Sequence, residues 1–337
     1  MNIGVVIIGR NEGERFRQCL TSLTNQLDQN IPMVYVDSGS TDGSCEVAKK
    51  FGTKVIELDQ KIPFTAARSR NTGLFWLLGK YPNLEYVQFI DGDCTLDPAW
   101  MEKALAAIAV DPKIAIVCGR RREKYPDASV YNLLAELEWN TPIGEARGCG
   151  GDALIRVEAL KAVNGYNSSM ICGEEPDMCI RMRQKGWKIM RIEGDMTWHD
   201  MAMFKLSQYW KRSVRGGWAV AEGFALYGAP PEKYMVKEHM SGWLWGLILP
   251  VLAIGLSWPT SGLSLLILLG YPILTWKIYR RRLQQNNTQK EAIAYAVFAI
   301  VFKFAQAYGQ GKYWLNRWQG KQATLIEYKE EAVGASS

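Results

Sequence analysis

The stretch that decides the fold is "YVQFIDGD", residues 86–93, where an apolar run stops at two aspartates. A short apolar run bounded by polar residues predicts a buried β-strand. Asp91 and Asp93 are i and i+2, so an extended backbone places both side chains on one face, about 6–7 Å apart at Cα. A surface turn and a divalent-metal site both explain such a pair, and the rest of the chain must decide between them.

Strand-like and helix-like segments alternate through residues 1–202. Five apolar runs predict strands, and they read "IGVVII", "MVYV", "KVIEL", "YVQFI" and "IAIVC". Between the first two, Phe16, Leu20, Leu23 and Leu27 recur at the spacing of one helix face. This order predicts an α/β fold in which a mostly parallel sheet is flanked by helices.

Polar clusters follow three of these strands, at residues 10–12 ("RNE"), 37–43 ("DSGSTDG") and 91–93 ("DGD"). Gly, Ser and Asp are turn formers, so a turn alone would explain the second cluster. Open α/β sheets bind ligands beyond the carboxyl ends of their strands, and all three clusters fall at that edge. The shared position favours a binding site, and carboxylate oxygens suit Mg²⁺ or Mn²⁺.

Composition excludes several classes of protein. The 337-residue chain is 48% hydrophobic and 22% charged with net charge +6, which is typical of a globular protein. No Lys/Arg block dominates the N-terminal half, so we expect no nucleic-acid partner. The seven cysteines form no Cys-x-x-Cys pair, which indicates reduced thiols in a cytosolic domain. The first apolar run lacks a basic n-region and predicts a strand rather than a signal peptide.

Beyond about residue 240 the chain becomes strongly apolar. Two runs, 243–258 and 262–279, are each near the short end of a membrane span, which needs about 20 residues. They predict a hairpin that crosses the bilayer or re-enters it, with Arg280, Arg281 and Arg282 on the cytoplasmic side. A third run carries Lys303 in its middle, which favours an interfacial helix. A soluble helical subdomain is the alternative.

These patterns divide the chain into four parts. Residues 1–202 form the α/β domain that carries the predicted binding site, 203–240 an amphipathic, interfacial helical segment, 241–282 the apolar hairpin, and 283–337 an interfacial helix and tail. The last residues, "EEAVGASS", are predicted to be disordered. On the helical segment, Arg212 and Arg215 are i and i+3, where they would close over a diphosphate or meet anionic lipid headgroups.

Six motifs in a fixed order carry a resemblance: "VIIGRNE", "VDSGSTDGS", "AARSRNTGL", "FIDGDC", "GCGGDALIRVEAL" and "GEEPDMCIRMRQKGW". Over residues 1 to about 200 the chain resembles the family 2 glycosyltransferases, inverting enzymes with the GT-A fold. The resemblance implies a nucleotide-diphospho-sugar donor, a UDP-sugar by the family's habit, and a divalent metal, Mn²⁺ or Mg²⁺. The apolar tail is similar to that of members working at the cytoplasmic face of a bacterial membrane on saccharide or lipid-linked acceptors.

The resemblance also assigns roles to residues. Glu175 is the general base, with Glu174 beside it, and Asp93, Asp91 and His199 are the metal residues. A lone histidine is more often structural, so His199 is the least specific of these. The donor-binding set is Asn11, Glu12, Asp37, Ser38, Arg70, Asn71, Asp91, Gly92, Gly151, Asp152, Arg212 and Arg215.

Two positions depart from the family pattern: Ser38 stands where a second acid is usual, and Glu175 where the base is usually Asp. The Q-x-x-R-W pattern of processive synthases is absent, which predicts one sugar added per encounter. Two rivals stay open, a non-catalytic nucleotide-sugar-binding scaffold at the membrane and, more weakly, a nucleotidyltransferase, which would release pyrophosphate. The sequence leaves the oligomeric state open, a homo-oligomer included.

Overall fold

In the computed structural model, which describes residues 2–321, the predicted strands form one sheet in a first unit of residues 2–126 and 135–202. Its first four strands are β1 (Ile3–Gly9), β2 (Met33–Asp37), β3 (Lys54–Glu57) and β4 (Tyr86–Asp91). They pair in parallel in the order β3-β2-β1-β4. The helices α1 (Gly13–Thr24), α2 (Ser44–Lys50) and α3 (Ala66–Lys80) connect them, as the apolar runs predict.

The register of these strands brings the predicted polar clusters together. Gly9 lies beside Asp37, and Ile8 lies beside Asp91, so the carboxyl ends of β1, β2 and β4 share one edge. The strands are apolar on both faces because helices cover them. The one polar side chain inside β4, Gln88, is fully buried and accepts a hydrogen bond from the indole of Trp100 at 3.0 Å.

The rest of the first unit makes the sheet mixed rather than mostly parallel. Its strands are β5 (Cys94–Leu96), β6 (Ile114–Glu123), β7 (Gly144–Glu145), β8 (Ala153–Arg156) and β9 (Lys188–His199). Strand β8 runs antiparallel between β4 and β6, and β9 pairs with β6 in parallel and with β5 and β7 antiparallel. The helices of this part are α4 (Trp100–Ala109), α6 (Val157–Ala162), α7 (Glu174–Gln184) and the end of α5 (Val130–Trp139), which belongs to it from Ala135 onward.

The second unit comprises residues 127–134 and 203–321 and is helical. Its elements are α8 (Leu206–Tyr227), α9 (Val236–Trp243), a π-helical turn (Leu244–Ile248), α10 (Leu249–Gly255), a 3₁₀ helix (Leu263–Leu269), α11 (Gly270–Gln284) and α12 (Gln289–Trp318). Helix α12 begins with a capping box of Thr288 and Glu291. It packs closely on α8, because a side chain at Gly217 would overlap the Gln306 backbone.

The apolar C-terminal runs differ in part from expectation. By length and composition, α12 is the one helix among residues 2–321 that could cross a membrane, although Lys303 had favoured an interfacial helix there. The two runs predicted as a hairpin lie in two continuous helical stretches, 236–255 and 263–284, which are joined at a turn that contains Pro259 and is bounded by Gly255 and Gly262. The predicted disordered residues 330–337 lie outside the described residues.

Candidate active site

Asp91, at the end of β4, is held by two arginines. Its Oδ1 accepts a hydrogen bond from Arg70 Nη2 at 2.9 Å, and its Oδ2 accepts one from Arg121 Nη2 at 3.2 Å. Burial would raise the pKa of Asp91, but the charges of Arg70 and Arg121 outweigh it and hold that pKa well below its usual value. Asp91 is therefore an ionised carboxylate whose two oxygens are already engaged.

Asp152 holds Asp91 and Arg121 in place through its buried carboxylate. It is fully buried, its Oδ1 accepts the backbone N–H of Asp91 at 2.9 Å, and its Oδ2 accepts Thr197 Oγ1 at 2.7 Å. Arg121 Nη2 lies 2.7 Å from the same Oδ2. The sequence assigned Asp152 to donor binding, whereas the structure places its carboxylate under Asp91, where it positions both Asp91 and Arg121.

Arg70, on α3, links the end of β4 to the start of α7. Its Nη1 donates to Glu174 Oε1 at 2.9 Å and to Glu175 Oε1 at 3.0 Å, while its Nη2 binds Asp91. The guanidinium is 3% exposed, so the ion pairs are shielded from solvent. Gly151 leaves the room for it, because a Cβ there would lie 2.1 Å from Arg70 Nη2. The predicted donor arginine is thus, in this structure, the counter-ion of three carboxylates.

Glu175 has the protonation chemistry of a general base. Burial and the adjacent charge of Glu174 raise the pKa of Glu175 to about 7, against the lowering effect of Arg70. A carboxylate with this pKa accepts a proton readily near neutral pH. Glu175 lies in the first turn of α7 after Gly173, whose φ of 82° turns the chain into the helix. The predicted catalytic pair, Glu174 and Glu175, therefore reaches the same cluster as Asp91.

Asp93 and His199 form a separate pair beside this cluster. Asp93 Oδ2 lies 3.1 Å from His199 Nε2, and Cys94 Sγ donates to Asp93 Oδ1 at 3.5 Å. Strand β5 pairs with β9, which sets Cys94 opposite His199. Asp93, Cys94 and His199 present ligand atoms within 4.8 Å of one another. The resemblance assigned Asp93 and His199 to one metal site, and the structure brings these two side chains together.

The donor set fits a divalent cation at Asp93 and His199. A carboxylate oxygen and an imidazole nitrogen suit Mn²⁺, and an oxygen-rich site suits Mg²⁺. A second grouping, Asp91, Cys94 and Asp152, has the same compactness. There a cation would compete with the guanidinium of Arg121, which already binds both aspartates. The structure thus favours Asp93 over Asp91 as the direct ligand.

Sequence reasoning missed Arg121 and left the role of Trp139 undecided. Arg121 lies 5.6 Å from the ring of Trp139, and that indole meets the His199 ring edge to face at 5.1 Å. The sequence signal for Arg121 lay in "GRRRE" at the end of β6. Side chains alternate between the two faces of a strand, so Arg121 points to the face opposite that of Arg120 and Arg122. Arg120 and Arg122 both bind Glu136.

The predicted nucleotide loop after β2 is shaped by its own aspartate. Asp37 is buried, its Oδ1 accepts Tyr35 Oη at 2.9 Å, and its Oδ2 accepts the backbone N–H groups of Gly39 and Ser40. The Ser38 hydroxyl lies 3.2 Å from that of Ser69. Asp37 therefore sets the conformation of the loop, which in turn presents Ser38 at the sheet edge.

Asn11 and Glu12, after β1, border the same loop. Asn11 adopts φ 53°, its backbone N–H donates to Ser40 Oγ at 3.0 Å, and its Oδ1 accepts the Thr41 N–H at 2.7 Å. Glu12 pairs with Arg15 at 2.9 Å. The first two predicted polar clusters are therefore joined directly.

Three other predicted groups make contacts outside the carboxylate cluster of Asp91, Glu174 and Glu175. Asn71 is buried and binds the backbone of Tyr166, both accepting and donating, so its amide holds that turn. Gly92 lies against the Ile8 carbonyl, which a Cβ would approach to 3.2 Å. Arg212 and Arg215 lie on α8 in the second unit.

Comparison with known proteins gives relatives for this domain. The family model described as "Glycosyl transferase family 2" matches residues 4–162. Glycosyltransferase AglE of Haloferax volcanii is 24% identical over 200 residues, which is 56% of this chain and 63% of that protein. Succinoglycan biosynthesis protein ExoA of Rhizobium meliloti is 26% identical over 56% of this chain and 58% of its own length. The chain spans less than two thirds of the length of these curated relatives.

Solved structures share the fold. A mannosyltransferase from Pyrobaculum calidifontis, solved in complex with GDP-Man and Mn²⁺, has a TM-score of 0.58 at 19% identity and covers 88% of this chain and 86% of its own. Glucosyl-3-phosphoglycerate synthase from Mycobacterium tuberculosis, in complex with phosphoglyceric acid, has a TM-score of 0.51 at 18% identity over 68% of this chain and 81% of its own. The predicted α/β architecture with flanking helices is confirmed.

Proposed function

Because residues 4–162 match the family model described as "Glycosyl transferase family 2", we propose that the first unit moves a sugar from a nucleotide-diphospho-sugar to a hydroxyl of a saccharide or lipid-linked acceptor, with inversion at the anomeric carbon. The observation that carries the proposal is Glu175, a carboxylate with a pKa of about 7, in one cluster with Asp91 at the edge where the Asp93–His199 pair also lies.

Glu175 performs the proton transfer. Its carboxylate takes the proton of the acceptor hydroxyl while that oxygen attacks the anomeric carbon. The bond from the anomeric carbon to the diphosphate oxygen breaks in the same step, and its electron pair leaves with the nucleoside diphosphate. A single displacement of this kind inverts the anomeric centre. Glu174 supports the step by raising the pKa of Glu175.

Asp93 and His199 would hold the divalent metal, Mn²⁺ or Mg²⁺, which when bound supplies Lewis-acid neutralisation of the leaving diphosphate. Asp91, fixed by Arg70, Arg121 and Asp152, keeps its carboxylate beside this pair as a ribose or metal-water contact. The loop that Asp37 shapes, together with Asn11, receives the base and ribose.

The donor nucleotide is proposed to be UDP, following the family's habit, with GDP as the competitor because the Pyrobaculum neighbour was solved with GDP-Man. Ser38 stands where the family's second acid is usual, so the loop has one carboxylate fewer with which to bind the nucleobase. A comparison of UDP- and GDP-sugars therefore belongs in the first assay.

We further propose that the enzyme works at the cytoplasmic face of a cell membrane, in surface polysaccharide or glycolipid synthesis, adding one sugar per encounter. Two observations support this: the second unit carries the apolar runs 243–258 and 262–279, many of whose large side chains are exposed, and a relative carries the name succinoglycan biosynthesis protein. Arg212 and Arg215 are proposed to contact the diphosphate or lipid headgroups, as their spacing on α8 predicts.

The test is an assay of nucleoside diphosphate release from UDP- and GDP-sugars with Mn²⁺ and a bacterial lipid extract as acceptor. We expect metal-dependent release that Glu175→Gln and Asp93→Asn each reduce by about 100-fold or more. Donor binding without release or transfer would identify a scaffold instead, and pyrophosphate release from a nucleoside triphosphate would identify a nucleotidyltransferase.

A further inference from the structure

The second unit exposes a large apolar surface on a helical hairpin, residues 243–284. Near the turn of the hairpin, Trp258 is 93% exposed, Leu263 69%, Ile254 66% and Leu266 60%. Soluble monomers rarely present contiguous apolar surface of this kind, and where it occurs it marks a membrane or protein interaction site.

The hairpin is a closed antiparallel pair. Ser264 Oγ donates to the Ala253 carbonyl at 2.7 Å, near the turn. Farther from the turn, the rings of Trp245 and Tyr271 meet edge to face at 5.5 Å. The two arms therefore hold each other, and the apolar side chains on their outer faces are left for another partner.

The apolar part of each arm is shorter than a bilayer. The first arm is helical from 236 to 255, but its apolar residues begin at Trp243, and 13 residues of helix span about 20 Å. In the second arm the 7 residues of the 3₁₀ helix span about 14 Å, and the first 7 residues of α11, before Lys277, add about 10 Å. The hydrocarbon core of a bilayer is about 30 Å thick. Apolar stretches of this length pass through one leaflet and fall short of the far side of the second.

The far end of the second arm is basic. Lys277, Arg280, Arg281 and Arg282 follow the apolar surface on α11, and the Arg280 guanidinium lies 5.7 Å from the Trp276 ring. Indoles and cations at this level match the headgroup region of a membrane, and cations there attract anionic lipids. The charge thus selects a membrane, and specifically an anionic one, as the partner of the apolar surface.

Helix α12 contacts the hairpin at the level of its base rather than at its turn. Phe304 stacks on Tyr271 at 5.9 Å, and Arg282 lies 3.4 Å from the Tyr295 ring. Gln306 and Gln310, farther along α12, are buried inside the unit. These two buried amides tie the second half of α12 to the unit's own core, because a polar side chain is costly to place in lipid.

We propose that residues 249–269 insert into one leaflet of an anionic membrane, entering and leaving at the same face, while α12 stays packed in the unit at the membrane surface. Acyl chains cover Ile254, Trp258, Leu263 and Leu266, and the anionic headgroups meet Arg280 and Arg281. This proposal is independent of the glycosyltransferase activity, since it concerns residues of the second unit alone.

The first test is flotation of the purified full-length chain with vesicles of phosphatidylcholine containing phosphatidylglycerol. Wild type should float, and Ile254→Glu/Leu266→Glu should lose flotation. Val110→Glu, a matched change at an exposed residue of the first unit, should float like wild type. Arg280→Gln/Arg281→Gln should bind the anionic vesicles about 30-fold more weakly, at about fivefold per charge removed, with little change on pure phosphatidylcholine.

The second test locates the turn. A Ser261→Cys variant, reconstituted in sealed vesicles, is treated with a membrane-impermeant maleimide added outside or trapped inside. With wild type as background for the native cysteines, we expect labelling of Cys at 261 from neither side until detergent is added. Labelling from the side opposite the first unit would show a spanning hairpin and overturn the proposal.

Two further outcomes would also overturn it. In the first, the wild-type chain does not float with any of the vesicles, and Ile254→Glu/Leu266→Glu converts an oligomer to a monomer. The apolar surface would then be a protein interface. The other is normal flotation of that double variant combined with loss of flotation in Val297→Glu, because α12 would then be the anchor.

Discussion

Asp91 and Asp93 lie one residue apart at the end of the same strand, yet their surroundings differ completely. Asp91 is bound by the guanidinium groups of Arg70 and Arg121, and its backbone is held by Asp152. Asp93 faces the imidazole of His199 and the thiol of Cys94. The first carboxylate has its charge balanced by the protein, whereas the second is arranged with ligand atoms that suit a cation.

Removing Arg70 should have the largest effect, because it leaves Asp91, Glu174 and Glu175 together without their shared cation. Arg70→Ala should cost about 3–5 kcal/mol of unfolding free energy, the usual cost of breaking a buried ion pair, and should abolish transfer. Denaturant unfolding measures the first effect and nucleotide release the second.

Arg68→Ala is the matched control on the same helix. Arg68 donates to the Ile62 and Asp59 carbonyls near the surface, so its loss should cost about 1 kcal/mol or less. Equal destabilisation by the two variants would mean that the carboxylate cluster does not depend on Arg70.

Asp93→Asn should reduce the transfer rate about 10³-fold, since several kcal/mol of metal assistance would be lost. The fold should be unaffected, because His199 and Cys94 remain in place around the amide. Steady-state kinetics with Mn²⁺ and a thermal melt in EDTA measure the two quantities. An active Asp93→Asn enzyme that still requires metal would contradict the assignment.

Glu175→Gln should lower the transfer rate about 10²- to 10⁴-fold, the range for loss of a general base. In wild type the base is protonated below its pKa of about 7, so activity should rise with pH through neutrality and level off above it. The variant should lose this rise and retain its donor affinity. A variant with the wild-type pH profile would show that another group is the base.

Thr197→Val should have the smallest effect. It removes one of the hydrogen bonds to the buried carboxylate of Asp152, at a cost of about 1–3 kcal/mol, and should lower activity only a few-fold through Asp91. Thr95→Val on the neighbouring strand is the control, because among residues 2–321 the Thr95 hydroxyl has no hydrogen-bond partner. Thermal melts of both variants decide whether Asp152 positions the site.

Much of the site could be predicted because it lies at strand ends. Apolar runs located β1, β2 and β4, and the parallel order put residues 10–12, 37–43 and 91–93 on one edge. Roles within the edge were harder to predict. Asp37 and Asn71 bind the protein's own backbone, and a linear motif does not distinguish such a contact from a ligand contact.

The contacts of Arg121 and Asp152 could not be predicted from local pattern. They come from β6 and from the chain just before β8, and the antiparallel insertion of β8 beside β4 brings them under Asp91. In the second unit, apolar content predicted helices but not their lengths. Helix α12 continues through Lys303, whose ammonium donates to Gln306 Oε1 one turn along the same helix at 3.5 Å.

The most direct test of the division between the two aspartates is the rise in melting temperature caused by Mn²⁺ with UDP or GDP. Asp93→Asn should lose this rise while keeping the metal-free melting temperature of wild type. Asp91→Asn should melt lower without metal, because Arg70 and Arg121 lose their shared partner, yet should keep most of the rise. The reverse pattern, with the rise kept in Asp93→Asn and lost in Asp91→Asn, would contradict the account.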